Sequence, residues 1–93
     1  MTGKSRRRVL VAGDERHVVR LAEVNLQRAG YEVLVAYCSA EAIRVAREER
    51  PDLIVIDPGL SEAVETLRAD PITQGIRMIV LGATPLDLKP LWR

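Results

Sequence analysis

The chain has 93 residues, 47% hydrophobic and 29% charged, with a formal net charge of +1 at pH 7, which suits one compact domain with a packed core and excludes a disordered chain. Near-neutral charge, 3% aromatic residues and no Phe exclude a nucleic-acid binder built on a basic surface or on base stacking. The single cysteine, Cys38, excludes an internal disulfide and a multi-cysteine metal site.

Residues 1–8 read as a basic leader, with charge gathered in Lys4, Arg6, Arg7 and Arg8, and residues 9–93 as a single domain. No signal-peptide apolar run follows the leader, and no stretch approaches the ~20 apolar residues of a membrane span. The expected location is therefore the cytoplasm, with no membrane contact. Val9-Leu10-Val11-Ala12 is a short apolar run and reads as a buried strand, stopped by Gly13-Asp14-Glu15. A helical period follows in Val18, Leu21, Ala22, Leu26 and Ala29, and Gly30 fits a left-handed position just past the helix end. Residues 31–36 form a second strand, rich in β-branched side chains. Ser39 is a candidate N-cap for a second helix whose apolar side holds Ala42, Ile43, Val45 and Ala46, and Pro51 marks its end. Residues 52–57 are a third strand, whose four consecutive apolar residues imply burial on both faces. Pro58-Gly59 breaks it. Ser61 is the candidate cap of a third helix with Ala63, Val64 and Leu67 inward, and residues 76–81 make a fourth strand ended by Gly82. Residues 84–93 hold two prolines and no clear period.

Strands alternating with helices predict right-handed crossovers and a three-layer α/β/α parallel sheet of about four strands and three helices. Ligands of such sheets bind outside the carboxyl ends of the strands. The first strand ends here in Asp14 and Glu15, the third in Asp57, and the fourth in Gly82 with Thr84 two residues on. Carboxylates converging on one edge make a hard oxygen site suited to Mg²⁺, and a carboxylate beside such a cation can accept a phosphoryl group. The bland alternative is a set of solvated loop acids. His17 follows Asp14 by three residues and reads as a solvent-facing side chain at a helix start. No Gly-rich phosphate loop and no Ser-His-Asp arrangement is suggested, so no enzyme activity is expected.

The run Val9-Leu10-Val11-Ala12-Gly13-Asp14-Glu15 resembles the first strand and acidic corner of a response-regulator receiver domain of two-component, phosphorelay signalling. Ala29-Gly30-Tyr31-Glu32-Val33 resembles the same family's helix end and second strand. Glu41-Ala42 and Arg50-Pro51-Asp52-Leu53-Ile54-Val55-Ile56-Asp57 resemble its second helix and phosphoacceptor strand, and the similarity resumes at Leu67-Arg68-Ala69-Asp70-Pro71. The resemblance implies a flavodoxin-like fold with Asp57 as phosphoacceptor. It makes Asp14, Asp57 and the carbonyl of Gly59 ligands of Mg²⁺, and Glu15 is a candidate to substitute in part for the acid that Gly13 replaces. Lys89, followed by Pro90, resembles the family's phosphate-binding lysine, and Thr84 lies near the position of its switch hydroxyl. A histidine kinase is the implied partner.

Several positions depart from the family. Gly13 replaces the first of its acidic pair, so cation binding is expected to be weak. Gly82 holds the place of the switch hydroxyl, and Pro58 sits directly beside the acceptor in a shortened loop. The interval between Gly82 and Lys89 is too short for the fourth helix, and the last helix is expected to be missing. One sheet face would then be covered by the first helix alone, and the fourth strand would be an edge. Leu86, Leu88, Leu91 and Trp92 are expected to pack on that open face, in the same chain or in a homodimer. Three readings stay open: a truncated, degenerate receiver working by protein contact without phosphorylation, a Mg²⁺-dependent phosphoacceptor, and a small-ligand or cofactor binder at the strand-end crevice.

Overall fold

The computed structural model describes residues 6–81. Strand β1 (Arg8–Ala12) leads into helix α1 (Arg16–Arg28), followed by β2 (Glu32–Ala36), α2 (Ser39–Glu49) and β3 (Leu53–Ile56). A 3-10 turn at Pro58–Leu60 then joins β3 to α3 (Ser61–Ala69), and β4 (Arg77–Val80) completes the set. Each strand is too short and too apolar to stand alone, and parallel pairing requires a crossover long enough to bury a helix. All four strands are accordingly parallel in one sheet of order β2-β1-β3-β4. Val9 faces Val33 on one side and Leu53 on the other, and Leu53 faces Arg77.

The period of two along the strands divides the core into two layers. Leu10, Ala12, Ala36, Ile54 and Ile56 pack under Ala42 and Ala46 of α2 and Ala63 and Leu67 of α3. Val9, Val11 and Val55 point the other way and meet Val19, Ala22 and Leu26 of α1. The fold class expected from the sequence is thus found: a flavodoxin-like parallel sheet with helices on both faces.

Local details differ from expectation. β1 begins at Arg8, one residue before the expected start of the domain at residue 9. The Arg8 N–H donates to Asp52 Oδ2 at 2.8 Å, and its guanidinium pairs with Glu49, which fixes this residue to the sheet. On α1 the buried residue is Val19, while Val18 and Leu21, expected inside, are 43% and 64% exposed. Ser39 and Ser61 are first residues of their helices rather than side-chain caps. At α2 the work falls to Glu41, whose Oε1 accepts the Tyr37 N–H at 2.9 Å. Gly30 does take positive φ, +100°, and Arg50 ends α2 at φ +47° ahead of Pro51. Among the described residues no helix is long and apolar enough to cross a membrane.

Candidate functional site at the carboxyl ends of β1 and β3

The register places the ends of β1 and β3 side by side, Ala12 opposite Ile56. The next residues continue the pairing. The Asp57 N–H donates to Ala12 O at 2.9 Å, and the Gly13 N–H donates to Ala36 O at 3.0 Å. Asp57 is therefore held on the sheet while its side chain stands at the edge, half-buried. Proline after Asp57 starts the 3-10 turn, and the Asp57 carboxylate caps that turn by accepting the Gly59 N–H on Oδ1 at 2.7 Å. The cap fixes the orientation of the carboxylate.

Gly59 is the point where the two acids meet. A Cβ placed on Gly59 would lie 3.1 Å from Asp57 Oδ1 and 3.3 Å from Asp14 Oδ2. Asp14 and Asp57 thus flank one small space that only glycine leaves open. Gly13 is buried directly beneath it, where a Cβ would lie 3.3 Å from Asp57 Cβ and 3.2 Å from Val19 Cγ2. No side chain from position 13 enters the space, and the acid count there stays at two.

The other sequence candidates divide by position. Glu15 is exposed at the N-cap of α1, with Oε1 3.7 Å from His17 Nε2, and does not join Asp14 and Asp57. Among the described residues, no three His, Cys, Asp or Glu side chains come together as a metal group, and none of the ion pairs involves Asp14 or Asp57. Thr84, Leu86, Leu88, Lys89, Leu91 and Trp92 lie outside the described residues.

Sequence reasoning missed two features. One is the role of Gly59 as the floor between two carboxylates, for which Asp-Pro-Gly was the available signal. The other is a cavity of about 510 Å³ at the opposite end of the sheet, where all four strands begin. Its walls include Val9, Tyr31, Leu53 and Ile79, and no local motif joins those positions.

A parallel sheet in this order, covered on both faces and acidic at the carboxyl ends of its central strands, defines a flavodoxin-like α/β domain. No family model matches the chain. The alkaline phosphatase synthesis transcriptional regulatory protein PhoP of Bacillus subtilis is 45% identical over 51 residues, which are 55% of this chain and 21% of that regulator. The N-terminal domain of a response regulator receiver protein from Methanoculleus marisnigri superposes with a TM-score of 0.80 at 25% identity, over 95% of this chain and 78% of that one. The chemotaxis response regulator CheY4 of Vibrio cholerae gives a TM-score of 0.77 at 25% identity, over 91% and 77%. In sequence and in fold this chain is similar to response-regulator receiver domains, and the segment matched spans about a fifth of the length of the Bacillus regulator.

Proposed function

We propose that this receiver domain acts in signalling through protein–protein contact, without depending on phosphorylation and without catalysing a reaction of its own. The supporting observation is the composition of the strand-end crevice. Two carboxylates meet at Gly59, position 13 adds none, and among the described residues no cationic side chain pairs with either acid. A phosphoryl group carries several negative oxygens, and its transfer requires cationic groups arranged around them. Among the described residues the crevice supplies none that pairs with either acid.

The donor set still suits a hard cation held weakly, because Mg²⁺ commonly binds through one or two carboxylates and retains several waters. Asp14, Asp57 and the Gly59 carbonyl would hold it, and the bound ion would offset charge on a transferring phosphoryl group. That donor set favours one second reading, in which Asp57 accepts phosphate with Mg²⁺ bound. A small-ligand site at the crevice has less support, because the cavity found lies at the other end of the sheet. The proposed partners are a histidine kinase or another protein of a two-component system in the cytoplasm. The DNA-directed role in the Bacillus regulator's name is not carried over, since the match spans 21% of that protein.

Intact mass spectrometry after incubation with saturating Mg²⁺ and a small-molecule phosphodonor separates the two readings. The expected result is an unchanged mass. An adduct of one phosphate that disappears in Asp57→Asn would establish the phosphoacceptor reading instead.

A further inference from the structure

We propose that the cavity at the strand starts binds a small aromatic carboxylate, held between the Arg7 and Arg77 guanidinium groups. Its volume of about 510 Å³ falls within the roughly 300–1,000 Å³ of small-molecule sites, which combine apolar walls with a few placed polar groups. The period of two along the strands explains how both kinds of wall meet here. Val9, Leu53 and Arg77 are in register across β1, β3 and β4. Arg7 precedes Val9 by two residues and Ile79 follows Arg77 by two, so all five share the face that carries α1. The Glu32 N–H donates to Arg7 O at 2.9 Å, which carries the β1–β2 ladder one residue back and fixes the base of the Arg7 side chain. Helix α1 packs on β2 and β1, and Ile79, further along the same face, is left 52% exposed.

Charge selects the ligand. Among the described residues neither Arg7 nor Arg77 enters an ion pair, whereas Arg8, Arg20, Arg44 and Arg47 all do. The acid on the wall, Asp52, is engaged by β1, since its Oδ2 accepts the Arg8 N–H at 2.8 Å. Two guanidinium groups against one carboxylate leave a single positive charge on the lining. That balance matches a singly charged anion, whereas a phosphate dianion would set a second charge against Asp52. The guanidinium is a planar fork that meets a carboxylate with two parallel hydrogen bonds. The aromatic part of the ligand follows from Tyr31, which packs with the Val9 cluster and borders the cavity as a stacking partner, and from the apolar surface of Val9, Leu53 and Ile79. The acidic crevice at Gly59 lies at the other ends of the strands, so a ligand bound here leaves Asp14 and Asp57 untouched.

Naphthaleneacetate serves as the probe, with naphthalenemethylamine as the ring without the anion and acetate as the anion without the ring. In an amide NMR titration of the full chain, naphthaleneacetate should shift the signals of Val9, Leu53 and Ile79 and saturate at millimolar concentration or below. Both controls should bind about tenfold more weakly. Arg7→Gln and Arg77→Gln, at exposed positions, should leave circular dichroism unchanged and each weaken binding roughly tenfold. Arg77→Glu should reverse the preference, so that the amine binds more tightly than the acid. Absence of shifts at those three amides overturns the proposal, as does equal affinity for acid and amine or unchanged affinity in the variant carrying both Gln substitutions. Shifts centred on Asp14, Asp57 and Gly59 overturn it as well and assign the ligand to the opposite end of the sheet.

Discussion

Gly30 and Gly59 show two different reasons for glycine. Gly30 has φ +100°, and nothing lies within 4 Å of the point a Cβ would occupy, so only backbone conformation demands it. Gly30→Ala should cost about 1–2 kcal/mol, read as a lower urea midpoint with an unchanged slope. Gly59 has ordinary freedom but no room, since its Cβ would sit 3.1 Å from Asp57 Oδ1 and 3.3 Å from Asp14 Oδ2. Gly59→Ala should leave stability within about 0.5 kcal/mol, because exposed side-chain oxygens can move aside. The same substitution should weaken Mg²⁺ binding in an NMR titration, since the space the two carboxylates share is then filled. Equal affinity in the variant would mean that the cation binds elsewhere.

At the scale of elements, α2 and the segment after α3 are tied by Asp70. Its side chain is 8% exposed, with Oδ2 2.7 Å from Arg47 Nη1 and Oδ1 accepting the Ile72 N–H at 2.9 Å. Asp70→Ala removes both interactions and should cost about 1–3 kcal/mol in urea unfolding. Arg47→Ala removes one partner from a half-exposed site and should cost about 0–1 kcal/mol. A larger loss in Arg47→Ala than in Asp70→Ala would contradict this division. The βα alternation itself was legible, because runs such as residues 53–56 are apolar and bounded by Pro or Gly. The face of α1 was less so. Its sequence carries two overlapping apolar series, and only packing on β1 and β2 selects Val19, Ala22 and Leu26 over Val18 and Leu21. At the site, the nearness of Asp14 and Asp57 followed from strand order, which the pattern implied. The part of Gly59 depends on a 3-10 turn capped by Asp57, and turn geometry of that kind is set by tertiary placement.

Across the whole molecule, the two ends of one sheet do different things. The carboxyl ends gather acids at Gly59, and the starts line an open cavity of mixed character, with Arg7, Asp52 and Arg77 beside apolar side chains. Both follow from the same parallel arrangement, which aligns every strand end on one edge and every strand start on the other. The proposed signalling by contact rests on a crevice that, among the described residues, brings Asp14 and Asp57 together at Gly59. Whether those two acids truly share one crevice is tested most directly by paramagnetic broadening with Mn²⁺, an oxygen-seeking cation like Mg²⁺. The amide signals of Asp14, Asp57 and Gly59 should broaden first and together, and Asp57→Asn should abolish the effect at all three. Broadening of Asp14 without Asp57, or of residues at the strand starts instead, would contradict the account.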